Sequence, residues 1–354
     1  MDDKQAGNVF PGNWDVVSET LLRTYELWFP QNWSPVDLPW DACDAKNFSS
    51  DEAVAQAYWL SKLALFEKSG IGAFGAAAVQ AATHNFEDPT KKFLSAVAFD
   101  ECRHDEVCRR ACSRVCPNFP YRFKPKSTLE EKAHRNIMAL YDNGSRYWSA
   151  FNQAWGKYPL ELIFSSFFFA EIGAQLIFRE VGERSSNKVY TTAFRNITRD
   201  ESRHLTGTLV MLERLAEKMS KEEKSTISRQ LKHGFIYLSP LLFKPMNDFW
   251  QLPDDFFEYD QKLEELAAKS GLGVPKVEER AEAWMQAITR HRSKIEELGI
   301  PVPEIKEIGL AGLEVNVKKG DEIIATPLQR RHRSTIRNAG TMKASVSTAH
   351  QSQA

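Results

Sequence analysis

The sequence lacks any run of about eighteen or more apolar, uncharged residues, the length a helix needs to cross a bilayer. The apolar stretch Leu162–Ala170 is far shorter and is followed at once by Glu171. No membrane partner is therefore expected. The opening residues, Met1–Gly12, are polar and carry no apolar block, so a secretory leader is not expected either. Cysteine is scarce and odd in number, five in 354 residues, which argues against a disulfide framework and for reduced thiols in the cytoplasm. Net charge is nearly absent, at −1, so nothing pulls the chain as a whole towards nucleic acid or anionic lipid. Basic residues gather only near the end, from Arg330 to Arg337, in a stretch without apolar periodicity.

What the sequence does have is helical patterning and aromatic side chains. Hydrophobic residues make up 42% and charged residues 26%, as in an ordinary globular protein, and the 22 phenylalanines concentrate in apolar helical stretches. Residues 1–50 are rich in Trp and Pro and read as an arm: a short helix around Val16–Trp28, then extended chain. Asp51 is placed to cap a helix running to about Thr83. Asp88-Pro89 opens the next helix, which Pro117 closes. Further helices are expected over Thr128–Trp155, from Pro159 to about Gly182, from Ser186 to about Met219, and in shorter pieces to Leu298. Past Pro303, Leu313–Val317 and Glu322–Ala325 flank a glycine-bearing turn and read as a β-hairpin. The expected domains are thus the arm, a helical bundle over 51–300, an appendage over 301–327 and a disordered tail over 328–354.

Two segments carry the chemistry. Asp100-Glu-Cys-Arg-His104 and Asp200-Glu-Ser-Arg-His204 repeat one pattern about a hundred residues apart. Each sets a Glu and a His three residues apart, one turn along the same face of a helix, where both can grip one metal ion. Glu131 and His134 share the spacing but sit in a charged run that reads as a solvated face. Di-iron four-helix bundles add one Glu from each of two further helices. Glu67, within Leu63-Ala-Leu-Phe-Glu, and Glu171, after Phe167-Phe-Phe-Ala, are acids on apolar faces, costly to bury without a cation. Four carboxylates neutralise two Fe2+ ions, and two imidazoles complete the set; oxygen and nitrogen donors suit iron, with manganese admissible in one site. Asp100 and Asp200 are placed to accept the spare ring N–H of a metal-bound His, and Arg103 and Arg203 to balance those aspartates.

Paired D-E-x-R-H motifs on separate helices resemble the hydroxylase subunits of bacterial multicomponent monooxygenases. The stretch Arg199–Thr208 is also similar, less closely, to the matching helix of the ribonucleotide reductase small subunit. Both are ferritin-like, and the resemblance spans roughly residues 50 to 220. It implies an all-α, ferritin-like (ribonucleotide reductase-like) four-helix bundle with Glu67, Glu101 and His104 on one iron and Glu171, Glu201 and His204 on the other. It also implies that Asp200 orients His104 and Asp100 orients His204. Departures narrow the branch. Cys108 stands where the reductase has its radical tyrosine, Ile197 where arylamine N-oxygenases add a histidine, and Gln175 where monooxygenases usually have threonine.

The expected activity is therefore a non-heme di-iron oxygenase that takes O2, a small apolar or aromatic substrate and electrons from an external donor protein, in a homo- or hetero-oligomer. Alternatives are an iron-binding or partner subunit without turnover, or a reductase-like subunit lacking the tyrosyl radical. Residues one turn from the ligands give the expected pocket: Leu63, Gly70, Ile71, Phe74, Phe167, Phe168 and Phe178. Gln175 and Cys108 are the expected catalytic helpers. Gly70-Ile-Gly-Ala-Phe-Gly75 fits GxGxxG, but no strand precedes it, and small residues for close helix approach explain it better. Cys108, Cys112 and Cys116, spaced by four, read as buried thiols.

Overall fold

The computed structural model describes residues 13–155, 160–244 and 250–314, and only the backbone of 146–155, 160–163 and 165. Among the described residues the fold is all-α. Helix α1 is Glu19–Glu26; four long helices then form the bundle, α2 (Ser50–Thr83), α3 (Asp88–Val115), α5 (Leu160–Arg184) and α6 (Lys188–Ala216), with α4 (Thr128–Trp155) between the pairs. Helices α7 (Lys221–Leu242), α8 (Phe256–Ala267) and α9 (Val277–Glu297) follow. The most extensive packing runs along α2 with α3 and along α5 with α6, and α3 meets α6 across the bundle. α4 and α8 flank α2, while α7 and α9 flank α5.

Local chemistry explains most boundaries. α2 begins one residue before the expected cap: Ser49, not Asp51, is the N-cap, in a capping box where Glu52 N–H donates to Ser49 Oγ (3.3 Å) and Ser49 N–H to Glu52 Oε2 (2.8 Å). α3 carries Pro89 in its first turn and ends at Val115, before Pro117. α5 runs through Gly182 to Arg184. A β-carbon at Gly182 would lie 3.0 Å from that of Phe194, so this glycine serves the close approach of α5 to α6 rather than a helix end. α6 starts at Lys188, later than expected, because Ser186 and Asn187 N–H both turn to Gly271 O, and Asn187 then caps the helix through Val189 N–H (2.9 Å). α1 is shorter than expected at both ends; Glu87 accepts from Val17 and Ser18 N–H (2.7 and 2.8 Å) and fixes its start.

Most of the expected hairpin lies outside the described residues. Within them, the chain from Pro303 to Leu313 forms only two isolated bridges, Pro303 with Leu313 and Ile305 with Leu310. The expected tail also lies outside. No described helix is long and apolar enough to cross a membrane.

The core is one large cluster between the helices, with a satellite of Phe74, Phe93, Phe164 and Phe167 at one end. A charged network is buried beside it. Lys62 of α2 reaches Asp260 (2.8 Å) and Glu264 (2.9 Å) of α8, Arg280 of α9 reaches Glu264 (2.7 Å), and Tyr58 OH donates to Asp260 (2.6 Å). Two cations face two carboxylates, so the network is balanced and pins α2 to α8 and α9.

Candidate metal centre

Four helices bring six buried side chains to one place: Glu67 from α2, Glu101 and His104 from α3, Glu171 from α5, and Glu201 and His204 from α6. They form two overlapping groups. In one, ligand atoms of Glu67, Glu101, His104 and Glu201 all lie within 4.8 Å of one another; in the other, those of Glu101, Glu171, Glu201 and His204 do. Glu101 and Glu201 belong to both, which casts them as the shared carboxylates. Glu201 has the matching shape, with Oε1 3.1 Å from His104 Nδ1 and Oε2 3.2 Å from His204 Nδ1. Glu67 lies 3.1 Å from His104 Nδ1, and Glu171 3.3 Å from His204 Nδ1. Glu131 and His134, with the same spacing, belong to neither group.

The far side of each imidazole is held by the opposite motif. His104 Nε2 faces Asp200 Oδ2 (3.3 Å) and His204 Nε2 faces Asp100 Oδ2 (3.1 Å). A proton on Nε2 then donates to the aspartate, leaving the Nδ1 lone pair turned towards the carboxylates. Arg103 reaches Asp100 and Asp200, and Arg203 reaches Asp100 (3.0 Å) and Asp200 (2.6 Å), so the guanidinium groups answer the aspartates and not Glu67 or Glu171.

The arm closes this layer, a role that sequence reasoning missed. Trp28 Nε1–H donates to Asp100 (2.9 Å) and Trp33 Nε1–H to Asp200 (2.7 Å). Arg103 also donates to Asn32 Oδ1 (2.5 Å) and Trp33 O (2.9 Å), and Arg203 to Gln31 Oε1 (2.5 Å). The Trp-rich composition signalled an arm that packs on something. Its partners lie 72 and 167 residues away, beyond any local pattern.

Electrostatics test whether a cation fits. With every carboxylate ionised and both imidazoles neutral, the state metal binding requires, six buried carboxylates (Glu67, Glu101, Glu171, Glu201, Asp100 and Asp200) face two guanidinium groups, Arg103 and Arg203, and leave four negative charges that two divalent ions would balance. Burial pushes the Glu171 carboxyl up to about 8, with the Glu201 charge adding to it. Burial and then Glu67 and Glu201 push Glu101 well above the carboxylate range. Burial opposes a charge on either imidazole, but the carboxylates around both rings outweigh it and hold the two histidines well above their ordinary value. Glu171 Oε2 and Glu201 Oε1 are buried with no partner of hydrogen-bond geometry among the described residues; what faces them is the Nδ1 of His204 (3.3 Å) and of His104 (3.1 Å). Buried carboxylate oxygens in that state, converging with two imidazole Nδ1 atoms, suit a pair of hard divalent cations.

The expected pocket and helpers fare differently. Phe74 and Phe178 flank the two imidazoles, with ring centroids 6.3 Å from His204 and 6.1 Å from His104, and Phe167 packs on Phe74 at 4.6 Å. Leu63 is buried in the main core. Phe168, however, turns to α9 and meets His291 at 5.5 Å, and Gly70 and Ile71 are only half-buried. None of the seven lines either of two surface grooves, one of about 780 Å3 on the outer side of α2 and α3 and one of about 350 Å3 on the outer side of α5 and α6. Gln175 is half-exposed, and its amide donates to Ser202 Oγ of α6 (2.9 Å). Cys108 is buried, and burial followed by the Glu67 charge keeps its thiol neutral.

The three glycines of the GxGxxG decoy have separate fates. A β-carbon on Gly70 would lie 2.7 Å from Glu101 Cδ and closer still to Oε2, whereas Gly72 and Gly75 have nothing within 4 Å. Gly70 makes room for a candidate ligand, and close helix approach explains none of the three.

The fold has known counterparts. It is similar to a point mutant of R2-like ligand-binding oxidase with an aerobically reconstituted Mn/Fe cofactor, at 14% identity over 79% of this chain and 95% of that one, with a TM-score of 0.52. Another point mutant, with an aerobically reconstituted Fe/Fe cofactor, matches at 14% identity over 79% and 94%, also at 0.52. The fold is the ferritin-like, R2-like one. No protein-family model matches the chain, and no curated protein matches it.

Proposed function

We propose that this chain is an O2-activating oxidoreductase that holds two iron ions, or an iron and a manganese, among Glu67, Glu101, His104, Glu171, Glu201 and His204. The observation that carries the reading is the pair of overlapping four-residue groups sharing Glu101 and Glu201 in a buried, four-charge-deficient pocket. The R2-like oxidases that share the fold carry Mn/Fe or Fe/Fe cofactors, which supports the choice of metal. When bound, such a pair would supply the electrons and Lewis acidity that reduce O2.

The chain's own residues do the rest. Asp100 and Asp200 hold each imidazole in the tautomer that offers Nδ1. Arg103 and Arg203 donate to both aspartates and balance their charge, and Trp28 and Trp33 donate to them from the arm and shut water out from that side. Phe74, Phe167 and Phe178 make the other wall dry and apolar, a surrounding that favours a small apolar or aromatic substrate. Cys108, next to Glu67, supplies a neutral thiol in place of a redox-active phenol. Electrons come from a separate donor protein.

The test is anaerobic loading of the purified chain with Fe2+, metal analysis, then O2 uptake with a chemical reductant. Two ions per chain and reductant-dependent O2 consumption support the reading. Two ions without O2 consumption replace it with an iron-binding or partner subunit, and fewer than one ion per chain removes it.

A further inference from the structure

The groove of about 780 Å3 on the outer side of the bundle belongs to neither the metal cluster nor its aromatic wall. It is framed by α2, α3, the turn after α3 and α4, and its volume falls in the range of sites that bury a small organic ligand. Its floor is apolar, from Ala64, Leu65 and Ala73 of α2 to Phe119 and Pro120. Two tyrosine rings close one side, Tyr121 and Tyr141, with centroids 5.7 Å apart.

Two opposite charges line the same groove. Lys68 of α2 and Asp105 of α3 both line it, and neither has a hydrogen bond or an ion pair within 4.0 Å among the described residues. Arg109, one turn along α3 from Asp105, turns instead to Glu106. Beside an apolar floor, then, stand an exposed ammonium and a half-buried carboxylate that attract each other through space without a direct contact within 4.0 Å. A ligand with its own carboxylate and ammonium would bridge them, each end making a charge-assisted hydrogen bond. An aromatic side chain would lie on the floor against the tyrosine rings.

We propose that this groove binds a free α-amino acid with an aromatic side chain, its ammonium on Asp105 and its carboxylate on Lys68. The site stands apart from the metal centre, and the proposal does not depend on the metals or on turnover. A plain amphipathic acid would leave Asp105 facing its apolar part, and a plain amine would leave Lys68 unmatched, so the pair of charges selects the zwitterion.

The test is titration calorimetry on the full-length chain with three probes: L-phenylalanine, 3-phenylpropanoate and phenethylamine. L-phenylalanine is expected to bind on the order of tenfold more tightly than either analogue, the size of one lost charged hydrogen bond. Asp105→Asn should bring L-phenylalanine down to the level of phenylpropanoate, and Lys68→Ala to the level of phenethylamine. Because Asp105 neighbours His104, metal content and helicity are checked in both variants. The analogue comparison on the unaltered protein stands whether or not the variants fold. The proposal is overturned if L-phenylalanine does not bind, if it binds no more tightly than the analogues, or if either folded variant keeps the original affinity.

Discussion

Gly70→Ala is the sharpest perturbation of the proposed centre, because it separates fold from metal binding. Gly70 lies within α2, where replacing glycine by alanine ordinarily stabilises a helix by about 0.5–1 kcal/mol. Here the added methyl would sit 2.7 Å from Glu101 Cδ, against 3.4 Å for an ordinary contact, so the carboxyl must retreat by at least the difference, 0.7 Å. Metal–ligand distances hold to within about 0.2 Å, and Glu101 belongs to both ligand groups, so both ions feel the displacement. Apparent Fe2+ affinity should fall roughly 10–100-fold, the range seen when support of a ligand is lost. Denaturant stability of the metal-free protein should change by less than about 1 kcal/mol, the helix gain offsetting the crowding. Gly75→Ala, with nothing within 4 Å of its new methyl, is the control: it should gain the helix increment and load iron as the unaltered chain does. Anaerobic competition with a chromophoric chelator measures affinity, and urea unfolding measures stability. If Gly70→Ala binds two ions with unchanged affinity, Glu101 is not a ligand and the shared-carboxylate reasoning fails.

Four further outcomes are expected. Trp33→Phe deletes the indole donor to buried Asp200, which keeps its guanidinium partners, so urea unfolding should show a loss of about 1 kcal/mol; no loss would mean the arm does not seat as described. Lys62→Met leaves Asp260 buried without a cation and Glu264 with Arg280 alone and should cost about 3–5 kcal/mol, whereas Lys269→Ala, which removes an exposed helix pair, should cost under about 0.5 kcal/mol. Of the five thiols only Cys102 is exposed, so a chromogenic disulfide reagent at pH 8 should modify one cysteine in the native chain and five in denaturant; burial pushes Cys43 and Cys116 up to about 11 and Cys112 to about 12. Burial holds the Glu171 carboxyl up at about 8, and both histidines are raised, so at pH 6 these groups carry protons that a cation must displace. Apparent metal affinity should therefore rise from pH 6 to pH 8, and an affinity independent of pH over that range would contradict the ligand set.

The candidate ligands could be read from the sequence because their geometry is local. A Glu and a His three residues apart share a helix face whatever surrounds the helix, and a repeat of the whole pattern at Asp100 and Asp200 is hard to produce otherwise. Glu67 and Glu171 showed themselves as acids in apolar surroundings, a conflict that burial alone cannot resolve. Helix positions were readable for the same reason, through caps, prolines and period. Two of the boundaries that moved, at Gly182 and at Ser186, did so where a contact with a distant residue, Phe194 or Gly271, overrode the local signal.

The sequence alone thus determined which residues each helix presents together: the all-α architecture, the two Glu-x-x-His pairs and the two lone carboxylates. Only the tertiary structure decided how those helices are rotated about their axes and which faces meet. That rotation makes Glu101 and Glu201 common to both groups, turns Gln175 to Ser202 and Phe168 to α9, and brings Trp28 and Trp33 onto the aspartates. Helical periodicity fixes the angle between side chains on one helix, but the packing of many side chains from other segments fixes the angle between helices, and no short stretch of sequence contains it.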